Sequence, residues 1–185
     1  MNLLTKIIHW VRMFLIRRAM KRIDRQRKVV SYAGAGHIGV LCEPGHDNQT
    51  AFLTSFVDKL IADQKKVTAI GYYSKKRIPD ITVLPRFLQW FTRKDFSLFM
   101  RPKSSALQDF AKQRFDILID LTSRNTYPMK YIAAISSASY KAGAHNPDYL
   151  NIFDLVLKVK ESCPVSEFAE HVVYYLKIIK TPGEK

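Results

Sequence analysis

The sequence predicts an α/β protein: a mostly parallel sheet in a Rossmann-like or flavodoxin-like three-layer sandwich, preceded by a basic N-terminal helix. Three observations carry this. Short apolar runs alternate with stretches of helical periodicity, the pattern of βαβ units. Those runs are apolar throughout, as strands covered on both faces are. Finally, residues 1–28 of the 185-residue chain hold nine Lys/Arg against one Asp. The division expected is a helix over 1–30, a joint at 31–36, an α/β domain over 37–180 and a tail at 181–185.

The elements follow in order. In MNLLTKIIHWVRMFLIRR the apolar runs are broken by His9 and Arg12. They fall short of the about 20 residues a spanning helix needs. A cationic run, rather than a small-residue cleavage site, comes next, so neither export nor spanning is expected. At about 100° per residue, Leu4, Ile7, Ile8, Val11, Phe14 and Leu15 share one face, and Arg18, Arg22 and Arg25 continue it. One helix, apolar in its first half and basic in its second, is the expectation.

HIGVLC (37–42) reads as the first strand. Asp47 or Asn48 caps a helix to about Gln64, with Leu53, Phe56, Val57, Leu60 and Ile61 inward. KVTAIGYY (66–73) is a β-branched and aromatic second strand. The segment 74–103, broken by Pro79, Pro85 and Pro102, reads as irregular. Ser104 caps a helix to about Arg114; a strand spans 115–121, and a helix runs from Pro128 to about Ser137. Strands follow at 140–143 and 153–159. Pro164 opens the closing helix, with Phe168, Val172, Leu176 and Ile179 inward.

The charge has a geography. Of the net +14, residues 1–28 carry +8 and residues 75–103 carry +6, while the remainder is neutral. Clustered cations on a neutral body point to a polyanionic partner, nucleic acid or anionic lipid. The expected contacts in the first cluster are Arg17, Arg18, Lys21, Arg22, Arg25, Arg27 and Lys28. In the second they are Lys75, Lys76, Arg77, Arg93, Lys94, Arg101 and Lys103. Phe87, Trp90, Phe91, Phe96 and Phe99 are interleaved there. Such aromatics can stack bases, but most of these are expected to fill the core under the crossover.

A ligand crevice, if the sheet has one, lies beyond the carboxyl ends of the strands where their order reverses. That pairs EPGHDNQ (43–49) with TSRNTYP (122–128), bringing together Glu43, His46, Asp47, Ser123, Arg124, Asn125 and Tyr127. One glycine and two acids make a poor phosphate cradle. Asp47 and Asp120 are the candidate catalytic acids, though no catalytic set surrounds either. Asp116 lies at the wrong end of its strand and reads as boundary trim, whereas Asp120 is expected to bond loop amides. GAGHIG (34–39) matches G-x-G-x-x-G, but it precedes the strand and Gly39 falls inside it. A nucleotide needs those glycines after a strand. The five histidines show no metal spacing, and no metal or cofactor is expected. Cys42 and Cys163, outside any C-x-x-C pattern, suit a reduced, cytoplasmic protein.

Two resemblances add to this. FDILIDLTSRNTYPMKYIAAISSASYKAG (115–143) resembles the end of the N-terminal Rossmann-like domain of heptosyltransferase-type glycosyltransferases. There the sugar-nucleotide donor is held mainly by a second domain, and the resemblance places Asp47 in the general region of the catalytic aspartate. The pieces GYYSKKRIPD, FTRKDFSLFMRPKS, FDILIDLT and YPMKYIAAISSASYKAG make 37–180 similar to an uncharacterised family of small bacterial single-domain proteins. The leading functional expectation is a non-catalytic RNA-binding protein of the ribosome-associated kind, using the N-terminal helix and the crossover 75–103. One alternative is a peripheral membrane protein bound to anionic lipid by the N-terminal helix. The other is a reduced glycosyltransferase-like enzyme acting on a nucleotide-sugar.

Overall fold

The computed structural model describes residues 3–43, 49–74, 88–122, 126–160 and 162–181. Six strands form one all-parallel sheet: β1 (His37–Cys42), β2 (Lys66–Tyr73), β3 (Leu88–Thr92), β4 (Ile117–Asp120), β5 (Tyr140–Ala144) and β6 (Leu155–Leu157). Their order across the sheet is β3-β2-β1-β4-β5-β6. Of the two layouts expected, this is the Rossmann order. It reverses between β1 and β4, which are paired from Ile38↔Ile117 to Leu41↔Asp120.

Helices cover both faces. On one, α2 (Gln49–Ala62) and α5 (Val165–Ile178) bury Leu53, Phe56, Leu60, Phe168, Val172 and Leu176 against the sheet. On the other lie α1 (Leu3–Met20), α3 (Ser105–Lys112) and α4 (Tyr127–Ile135). Every residue from Tyr127 to Ala134 is buried. The sheet lies beneath α4, and α1 and α3 pack beside it. A helix that is apolar nearly all round belongs in that position. Two glycines make room for aromatic rings: a Cβ at Gly71 would stand 2.3 Å from the Trp90 ring, and one at Gly143 would stand 2.6 Å from Phe153.

Several expectations are corrected. The first helix stops at Met20 rather than running to residue 30. The next eight residues, KRIDRQRK, carry six charges and bond elsewhere instead. Arg25 Nε donates to Ala138 O at 2.6 Å and the Lys28 amide to Ser139 O at 3.1 Å, drawing the chain along the start of β5. The segment 74–103 is not wholly irregular, because LQWFT within it forms β3 at the sheet edge. The joint at 31–36 is packed: Ser31, Tyr32 and Ala35 are buried, and the Tyr32 amide donates to Leu176 O. Ile61, expected inward, is exposed, and Pro164 caps α5 from outside rather than sitting in its first turn.

Candidate functional site

At the switch point β4 delivers Asp120 into a closed cluster. Lys130, projecting from α4, donates through Nζ to Asp120 Oδ2 at 2.8 Å and to Thr122 Oγ1 at 3.1 Å. Both members of this ion pair are fully buried. The Thr122 amide donates to Asp120 Oδ1 at 2.9 Å, the loop-amide bond expected of Asp120, and the Thr122 hydroxyl donates to the same oxygen. The Lys130 ammonium also lies 5.7 Å from the centre of the Phe153 ring. A buried charge needs such full pairing. With its oxygens engaged by its own neighbours, the aspartate is built as a structural tie. Sequence reasoning missed Lys130. The available signal was a lone cation inside the apolar run YPMKYIAAI.

The rest of the expected crevice divides. Glu43, just past β1, accepts from the Thr126 hydroxyl. Tyr127 is buried beneath α1, its hydroxyl donating to Arg12 O at 3.2 Å with the Arg12 guanidinium 5.1 Å above its ring. His46, Asp47, Ser123, Arg124 and Asn125 lie outside the described residues. Cys42 is buried, and burial pushes its thiol far above the usual range, leaving it a core residue.

At the opposite edge, Asp116 Oδ2 accepts the Gly36 and His37 amides, both at 2.8 Å. So the aspartate read as trim ties the start of β4 to the start of β1, and GAGHIG serves that tie. Lys141, buried on β5, donates to Ala133 O at 2.7 Å and Ala134 O at 3.4 Å, the last carbonyls of α4. Burial first, and the Arg25 guanidinium second, hold this lysine well below the usual range.

The cations expected to meet a polyanion fall into two sets. Arg25 is spent on Ala138 O, Ser139 O and the Asp154 carboxylate. Arg27 reaches Asn151 O at 3.4 Å and Asp154 at 3.9 Å. Arg93 donates to the carbonyls of Phe96, Ser97 and Leu98, shaping the turn that follows β3. Arg17, Arg18, Lys21, Arg22, Lys28, Lys94, Arg101 and Lys103 are exposed. Lys75, Lys76, Arg77 and Phe87 lie outside the described residues. Of the aromatics, Phe91 and Phe96 are buried and Trp90 covers Gly71; Phe99 is half exposed.

Two of the exposed arginines meet part of the second basic segment. Arg18 and Arg22, one turn apart on and just past α1, line a groove of about 420 Å³ with Arg101 and Lys112. Its apolar lining comes from Leu15, Ala19, Ile23, Ala111 and Ile135, and Gln108 completes it. No carboxylate lines it among the described residues. Arg101 is oriented by Nε donating to the buried Tyr131 hydroxyl at 3.3 Å.

Beside this groove α1 turns an apolar face outward. Its buried residues are Met13 and Ile16. These lie roughly opposite the stripe of Leu4, Ile7, Ile8 and Phe14. These four therefore point to solvent, Leu4 63% exposed, Ile7 50% and Phe14 48%, while Val11 and Leu15 of the same stripe are partly buried. Trp10 stacks on Phe14 with ring centres 5.8 Å apart, and it too is exposed. A second apolar protrusion lies close to Arg101 of the groove. The turn after Ser97 carries Leu98, 80% exposed, and Phe99. Among the described residues no helix is long and apolar enough to cross a membrane.

No curated protein and no solved structure matches the chain. One family does, and its match runs from Arg12 through the whole α/β body, taking in all the residues that line the groove. The chain therefore belongs to DUF6913, a family of unknown function, matched over residues 12–179.

Proposed function

We propose that this is a peripheral membrane protein that lays the outer face of α1 in the interface of an anionic bilayer. One observation carries the reading: six large apolar side chains on α1 (Leu3, Leu4, Ile7, Ile8, Trp10 and Phe14) face solvent while exposed Arg17, Arg18, Lys21 and Arg22 follow them. Interfacial helices bury such a face at the headgroup boundary and keep their cations at the lipid phosphates. Each Lys or Arg near an anionic surface contributes about 1 kcal/mol, and each large apolar side chain fully buried about 1.5–3 kcal/mol. RNA would use the cations but leave most of the apolar face uncovered, and with Phe91 and Phe96 buried the described part of the crossover offers bases chiefly Phe99.

The test is co-sedimentation of the full chain with vesicles. Retention on phosphatidylglycerol and release from phosphatidylcholine are expected. The triple change Ile7→Ser, Trp10→Ser, Phe14→Ser should abolish retention. Wild-type retention by that variant would sink the reading. Complete displacement from vesicles by a short uridine oligonucleotide, with no effect of the apolar changes, would instead favour RNA. Stabilisation by a nucleotide-sugar alone would favour the glycosyltransferase-like alternative.

A further inference from the structure

The groove lined by Arg18, Arg22, Arg101 and Lys112 has a chemistry narrower than attraction to negative surfaces. Arg18 and Arg22 form one side, while Arg101, held by Tyr131, and Lys112, at the end of α3, come from other parts of the chain. A phosphomonoester carries up to about two negative charges near neutrality. Three arginine forks and an ammonium suit that charge, since each fork can grip two phosphate oxygens. The apolar part of the lining would be wasted on a free ion. Leu15, Ala19, Ile23, Ala111 and Ile135 give an alkyl chain a surface, and beyond the cations that hold the phosphate a sugar or base would find only Gln108 to satisfy its polar edges. The groove adjoins a second hollow of about 560 Å³, with which it shares Arg101, Gln108 and Ile135 and which has Phe99 in its lining.

We propose that this groove binds the phosphomonoester headgroup of an anionic lipid, with the first part of the lipid's chain along Leu15 and Ile135. The lipid source rests on the membrane reading above; the alkyl-phosphate chemistry does not. The charge on the groove and the absence of a lining carboxylate among the described residues identify the headgroup, and the apolar lining identifies the chain.

The experiment is calorimetric titration of the full chain with decyl phosphate below its micelle concentration, against inorganic phosphate and decyl maltoside. Decyl phosphate should bind, inorganic phosphate about ten-fold or more weakly, and the maltoside not measurably. Arg18→Gln with Arg22→Gln should weaken decyl phosphate about ten-fold with the melting midpoint unchanged, and separately Arg101→Gln should weaken it about ten-fold while the protein stays folded, its midpoint lowered only by the lost bond to Tyr131. Equal affinity for inorganic phosphate, equal affinity for the maltoside, or indifference to the arginine changes overturns the proposal. So does displacement of decyl phosphate by a uridine oligonucleotide at matched phosphate concentration. The variant Ile7→Ser, Trp10→Ser, Phe14→Ser separates the two readings, because it should lose vesicles and keep decyl phosphate. Wild-type binding of decyl phosphate without any vesicle binding overturns the membrane reading and its lipid source. Vesicle binding without decyl phosphate binding overturns the groove alone.

Discussion

The helices α1 and α4 lie side by side, both rich in large apolar residues and both carrying cations, yet they meet opposite fates. In α4 everything from Tyr127 to Ala134 is inside, and its cation Lys130 is neutralised by Asp120. In α1 two residues are inside, and its apolar stripe and arginines face water. Composition goes part of the way, since α4 is the more apolar of the two. Location does the rest: α4 links β4 to β5 and must cross the centre of the sheet, whereas α1 precedes the sheet and needs only one narrow contact. What α4 buries, α1 leaves exposed.

The contrast predicts that changes in α4 unfold the protein while changes on the outer face of α1 leave it folded and alter what it binds. The largest effect is expected at Lys130. Lys130→Met strands the Asp120 carboxylate in the core and should cost about 3–5 kcal/mol in urea unfolding. Adding Asp120→Asn to it should recover much of that loss. A cost under about 1 kcal/mol would break the contrast at its strongest point. Next comes the inner face of α1: Ile16, 3% exposed, changed to Ala should cost about 2–4 kcal/mol. Ile8→Ser, on the outer face, should stay within about 0.5 kcal/mol of wild type in stability. Its vesicle affinity should nevertheless fall about ten-fold.

Two pH effects are smaller. Lys141 has its folded proton affinity lowered, chiefly by burial, so below the ordinary lysine value of 10.5 the unfolded chain binds more protons. Stability therefore rises with pH from the depressed folded value up to that limit. Lys141→Met should flatten the rise, read as the urea midpoint across alkaline pH. His37 is lowered by burial first and Lys66 second, from an ordinary value of 6.5. Here too the unfolded chain holds the extra proton, so stability falls as pH drops below that value. His37→Gln should remove this part of the acid-side slope.

Much of the fold was legible because its signals are local. β1, β2, β4 and β5 show as apolar runs, and α2, α3 and α5 show as periodic stretches. Asp116 at the start of its strand was correctly separated from Asp120 at the end, since polarity along a parallel strand is itself a sequence property. β3 escaped because LQWFT is five residues among prolines and cations, and an edge strand needs its neighbour, β2, to be recognised. The end of α1 escaped because Arg25 is drawn out of helix by a carboxylate 129 residues away.

The sequence by itself determined the α/β class and the two basic segments, because alternation, periodicity and charge counts depend only on near neighbours along the chain. The tertiary structure alone decided three things: that α1 docks by Met13 and Ile16 and turns its longer apolar stripe outward, that Lys130 reaches Asp120, and that Arg18 and Arg22 share a groove with Arg101 and Lys112. Each depends on where one helix comes to rest against another. That placement is selected by the total area the sheet and its helices bury together, a sum that no single segment carries.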